Sequence, residues 1–261
     1  RMKRLIQKKL KKTKENLYYI LSALMIGLIV GGIDALFGRV LIAITDFRGR
    51  YIQIFIWFLP IAGLFICWMY HRFNEMSLKG MTLVLETAQG KRADIPLALV
   101  PLVMVGTWIT HLFGGSAGRE GVAVQIGATL SHWFARRFKF ADNRTILLIA
   151  GMAAGFGGLF QTPFAAVFFA MEVVVTGKML YQAFLPSLVA AVTASTFSNA
   201  LGLEKFAVPL KQSFNLSESK TMFYMVILGV SFGLTGRVFS VLLKRAKAFM
   251  GEKLANPYKR I

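Results

Sequence analysis

Long apolar runs alternate with short polar stretches rich in glycine and proline along this chain. Residues 17–45 form the first run, long enough to span a bilayer with tilt. Residues 51–71 (YIQIFIWFLPIAGLFICWMYH) predict a second span, with a kink at Pro60 and Trp57, Trp68 and Tyr70 as interface anchors. Residues 80–89 (GMTLVLETAQ) are too short to cross and read as a loop helix or a re-entrant half-helix. Residues 94–113 predict another span, containing Pro101 and running into GGSAGREG. A short helix over 121–135, a basic loop RRFKFADNR, and a small-residue helix over 145–160 follow. Pro163 opens PFAAVFFAMEVVV, which ends near Glu172. Residues 179–202 and 220–243 are further spans, separated by a polar stretch at 203–219; Gly229, Gly233 and Gly236 offer close packing in the last. Full spans mixed with half-length helices broken by Gly and Pro predict an all-α polytopic membrane protein, in the manner of transporters and channels.

Composition agrees. Of the 261 residues 56% are hydrophobic and 16% charged, fewer charges than a soluble domain carries. The net charge of +19 is concentrated at the ends. Residues 1–16 read as a basic amphipathic helix on the membrane surface, with Met2, Leu5, Ile6 and Leu10 facing lipid, and 251–261 as a basic tail; the transmembrane domain is 17–250. The positive-inside rule then places both termini in the cytoplasm. No motif supports nucleic-acid binding. One cysteine, Cys67, allows no internal disulfide, and His71, His111 and His132 lack metal-ligand spacing, so neither metal nor cofactor is expected. No nucleophile, base and orienting group occur together, which argues against an enzyme. Asp34 and Arg39 interrupt the first span and are expected to pair with each other or to lie near an interface, a structural role favoured over a direct one in transport.

The chemistry points to Gly114–Gly121. Glycines at 114, 115, 118 and 121 let the backbone bend and approach a ligand. A helix starting near Gly121 would offer the N–H groups of Gly121, Val122, Ala123 and Val124, together with the positive end of its dipole, to an anion. Such a site holds an anion weakly enough for it to leave. Glu120 stands at its mouth: ionised, its carboxylate can occupy the anion position; protonated, it vacates it. The plainer alternative is that Glu120 caps the helix and pairs with Arg119.

GREGVAVQIGATLSHWF resembles the GREGP-type signature of the CLC family of chloride channels and anion/proton antiporters. GMAAGFGGLFQTPFAAVFFAMEV is similar to the next two helices of that family, and the resemblance runs in order from about residue 17 to 250. It implies that Glu120 is the gating and proton-carrying glutamate, with Gly118, Gly121, Val122, Ala123 and Val124 binding the anion through backbone N–H groups. Where chloride transporters of the family carry a GSGIP-like element, this chain reads SLKGMTLVLE, so Gly80 and Met81 would line the ion path, with Asn74, Lys79 and Thr82 as neighbours. Val173 follows Glu172 where proton-coupled chloride exchangers often have an internal glutamate, and Val122 replaces the usual proline. These departures resemble the fluoride/proton antiporter branch.

The resemblance covers about the first half of the family fold. It implies export of fluoride in exchange for protons from the inner (plasma) membrane of a bacterium, by a homodimer whose interface lies partly on 163–202. A chloride/proton exchanger or chloride channel is the alternative. A non-transporting fragment that assembles with a partner is another, because a lone half leaves polar helix ends toward lipid.

Overall fold

The computed structural model describes residues 2–138, 144–175, 177–205 and 218–254, with side chains from residue 16 onward. The chain divides into two compact units, Arg1–Lys205 and Phe206–Ile261. Among the described residues all regular structure is helical.

In the first unit α1 runs from Met2 to Phe55, and the backbone of the basic N-terminal segment continues directly into the first span. Its helical geometry breaks at Tyr51, and a short 3-10 turn, Ile56–Phe58, leads into α2, Leu59–Phe73. The predicted kink at Pro60 is therefore misplaced. Pro60 is the second residue of α2, where a helix has no use for the missing N–H, and the chain bends before it. Trp57 and Trp68 are exposed, as anchors at a membrane interface must be.

Next come α3 (Met81–Ala88), α4 (Leu99–Leu112), α5 (Glu120–Arg137), α6 (Arg144–Phe160), α7 (Pro163–Val173) and α8 (Phe184–Ala200). Pro163 opens α7 as expected. The central element is α6: thirteen of its seventeen residues are buried, which makes it apolar all round, unlike a surface helix with one apolar stripe. It packs against α1, α5, α7 and α8. The α5/α6 crossing is built on absent side chains. A Cβ at Gly127 would overlap the carbonyl of Gly151, and one at Gly155 would overlap the carbonyl of Ala123. Ala123, Gly127 and Ser131 on α5 and Gly151 and Gly155 on α6 recur every four residues, the spacing that lets two backbones touch along one seam.

The second unit contains α9, Ser219–Lys253, which extends ten residues past the predicted end of the last span and takes Lys244, Arg245 and Lys247 into the helix. None of its residues is buried, and no described atom lies within 4 Å of a Cβ built on Gly229, Gly233 or Gly236. The close packing expected at these glycines is not found among the described residues. Three helical stretches, Asn16–Phe73, Tyr181–Ala200 and Ser219–Lys253, are long and apolar enough to cross a membrane. Residue 1, much of the 136–144 and 203–219 loops and most of the C-terminal tail lie outside the described residues.

Candidate anion site

Two helix starts form the candidate site. The first belongs to α3. Asn74 accepts hydrogen bonds from the backbone N–H (3.0 Å) and hydroxyl (3.1 Å) of Ser77, which winds Glu75–Lys79 into a 3-10 turn. Gly80 then takes φ +50°, ψ −124°, a conformation that a side chain strongly disfavours, and reverses the chain into α3. The N–H of Gly80 goes to the Ser77 carbonyl and that of Leu83 to the Gly80 carbonyl. The amides of Met81 and Thr82 are left open among the described residues. Asn74 thus acts as a cap for the turn.

The second start belongs to α5, and here the glycine-rich segment splits into two roles. Gly114, at φ +81°, ends α4: its N–H reaches the His111 carbonyl (3.2 Å) and that of Gly115 the Thr110 carbonyl (2.8 Å), the paired bonds of a Schellman stop. Gly118 and Gly121 serve the helix that follows. Because α5 begins at Glu120 and not at Gly121, its open amides are displaced toward the N-terminus: Arg119, Glu120, Gly121 and Val122. The N–H of Ala123 is already donated to the Arg119 carbonyl at 3.0 Å, and Val124 lies one residue deeper. Ala123 and Val124 are therefore not the free donors expected from the sequence. Both are buried packing residues, as is Val122.

Glu120 is exposed and has no hydrogen bond or ion pair among the described residues, so the alternative in which it pairs with Arg119 is not found there. Its carboxyl folds back over Gly118, where a Cβ would stand 2.9 Å from Oε2. Gly118 is thus the floor on which the carboxylate lies. Met81 is half-buried and packs beside the core cluster that contains Leu83, Val84 and Val124.

Gln125, not among the residues singled out above, joins the two starts. It is 9% exposed, and its side chain makes no hydrogen bond among the described residues. A Cβ at Gly80 would stand 3.4 Å from its Oε1, and one at Gly121 would stand 3.7 Å from its Nε2. The amide group therefore lies between the head of α3 and the head of α5. One signal was available: residue 125 is four residues after Gly121, on the same face of the helix and one turn below the open amides.

At the other end of α5 a second polar cluster ties down the 89–98 loop. His132 Nε2 donates to Asp94 Oδ1 at 3.1 Å, and Arg136 pairs with the other carboxylate oxygen. Partial burial pushes the Asp94 carboxyl up, but the hydrogen bonds and charges of Arg136 and His132 outweigh it and hold it below the ordinary aspartate value. Trp133 and Arg137 complete a shallow cavity of about 360 Å³ beside it. Asp34 and Arg39 do not pair: Arg39 Nη1 donates to the Leu201 carbonyl at 3.1 Å, and Asp34 is fully buried. No group of three or more metal-ligating side chains occurs among the described residues.

Residues 62–261 match the family model for the voltage-gated chloride channel. The chain belongs to the CLC family. A chloride/fluoride channel protein of Pseudomonas syringae pv. tomato is 34% identical over 227 residues, 87% of this chain and 50% of its own length. An H(+)/Cl(-) exchange transporter of Salmonella arizonae is 25% identical, over 94% of this chain and 54% of its own. Among solved structures, a CLC-type fluoride/proton antiporter superposes with a TM-score of 0.89 at 44% identity, covering 94% of this chain and 62% of that one. A slow cyanobacterial Cl-/H+ antiporter shares the fold, with a TM-score of 0.75 at 23% identity. The chain thus spans about half the length of the curated relatives it matches.

Proposed function

We propose that this CLC chain supplies half of the ion path of a fluoride/proton antiporter that exports fluoride across the inner (plasma) membrane of a bacterium. The observation that carries this reading is the convergence of two N-terminal helix heads on Gln125, with Glu120 at the rim of one. Open N–H groups from α3 and α5 stabilise a small anion without a fixed cation, so the ion is held and still released. The carboxylate of Glu120, lying over Gly118, competes for that position when ionised and yields it on taking up a proton. One group then alternates between anion mimic and proton carrier, which links the two fluxes. Met81 shapes the path by packing, since a thioether is a poor partner for hard fluoride while amide N–H groups are good donors. The 44% identity to a fluoride/proton antiporter supports fluoride over chloride.

In the same reading the termini are cytoplasmic and the exposed side chains Phe164, Phe168, Phe184 and Leu185 belong to a homodimer interface. A chloride/proton exchanger is the second reading, favoured by the match to the Salmonella exchanger. Fluoride- and chloride-selective electrodes on loaded proteoliposomes separate them: fluoride should leave much faster than chloride, and equal rates refute the fluoride assignment. Absence of any flux from this chain alone would leave assembly with a partner as the reading to pursue.

A further inference from the structure

Asp34 lies inside the first membrane-spanning stretch, fully buried, and neither carboxyl oxygen has a hydrogen bond among the described residues. The carboxyl occupies the space that a side chain on Gly158 of α6 would need, and Ala194 of α8 borders the same gap. Among the described residues no cation bonds to it. On α1 Arg39 is turned to the Leu201 carbonyl; α8 carries no charged residue; the one charge on α6 is Arg144, at the far end of that helix; Glu120 on α5 is exposed and has no bond to it. A carboxylate without a partner is costly in so apolar a place, whereas the neutral acid is not.

The position is also close to the proposed site. Ile33 and Ala35, its chain neighbours, pack in the cluster that holds Val122 and Ala123 of the first turns of α5. Along α6, Gly155, which receives the Ala123 carbonyl, is three residues from Gly158, about 4.5 Å along the axis.

We propose that Asp34 is a second proton-binding group of this transport domain, held as a neutral acid at the crossing of α1, α6 and α8 and exchanging its proton during anion transport. Its role in transport rests on the proton-exchange reading above. Asp34→Asn keeps the shape of the neutral acid but can release no proton. In proteoliposomes with simultaneous fluoride and pH recording, the variant should still move fluoride while carrying fewer protons per fluoride than the wild type. A coupled wild type with an unchanged ratio in Asp34→Asn overturns the inference and leaves the exchange reading standing. Fluoride moving without protons in the wild type overturns both.

A second measurement stands even if that variant fails to assemble. Infrared spectra of wild-type protein isotope-labelled at the aspartate side-chain carboxyls read their protonation directly, and Asp94, whose carboxylate pairs with Arg136, is not expected to add a neutral-acid band at neutral pH. A neutral-acid carbonyl band at neutral pH that shifts on fluoride addition supports the proposal. No such band, or a band that fluoride leaves untouched, overturns it.

Discussion

Helices α6 and α9 share a glycine-rich apolar pattern and differ in what their described residues touch. Both are apolar and glycine-rich, and both read as close-packing helices. On α6 the glycines are contact points where backbones touch, and the helix is buried on every side. On α9 the glycines touch no described atom and every residue is at least partly exposed. A small-residue pattern therefore records an opportunity for contact, and only a partner helix in register turns it into a constraint.

Substitutions test this contrast directly. Gly127→Leu, at the α5/α6 seam, should have the largest effect. Its side chain would have to fit where a backbone carbonyl already is, which costs more than the ~3 kcal/mol of ordinary overpacking, and no monodisperse protein should be recovered by gel filtration. Well-behaved protein from that variant would break the account of the crossing. Glu120→Gln, at the exposed start of the same helix, should leave the melting temperature unchanged while proton movement coupled to fluoride disappears. Surviving coupling would remove Glu120 from the proton path. Gly80→Ala places a Cβ in a left-handed conformation at a cost of about 1–3 kcal/mol and should lower both thermal stability and fluoride flux. Gly121→Ala, at 3.7 Å from its nearest neighbour, should be far milder. Gly233→Ala in α9 should go the other way, stabilising by up to ~1 kcal/mol through helix propensity alone. A clear loss of stability there would mean that α9 has a packing partner in the assembled protein.

The smallest effect concerns the far end of α5. The carboxyl of Asp94 is held below its ordinary value, so its bonds to His132 and Arg136 contribute fully above about pH 3.9 and are lost as the pH falls through the lower folded-state value. Hydrogen exchange over residues 90–98 should accelerate only in that acidic window, with α6 unaffected. Acceleration already near neutral pH would show that the ion pair does not anchor the loop.

Much of the helix plan was legible because it follows from local rules. Apolar run lengths gave the spans within 16–73, 181–200 and 219–253, Pro163 gave the start of α7, and the shortness of 80–89 gave α3; the span predicted over 94–113 is instead the shorter helix α4, Leu99–Leu112. The errors have local causes too. A proline inside an apolar run predicts a kink at Pro60 because it lacks an N–H; the helix already breaks at Tyr51, so the proline opens a new helix. The anion donors were displaced because the helix start moved by one residue to Glu120, which shifts every open amide with it.

What Gln125 and Asp34 face was beyond such rules. A glutamine in VAVQIGATL and an aspartate in VGGIDALF look like ordinary polar interruptions. What distinguishes them is what lies opposite: the heads of two helices for Gln125, and the bare backbone of Gly158 for Asp34.

The sequence by itself determined the membrane setting, the helical class, the family signature and the places where the backbone must turn, because these depend on residue chemistry and on spacing along one chain. Only the tertiary structure decided which amides stay open, that Gln125 links α3 to α5, that Arg39 turns away from Asp34, and which glycines carry contacts. The reason is that each of these depends on surfaces far apart in sequence, and a residue's energy in a low-dielectric interior is set by the groups that happen to face it.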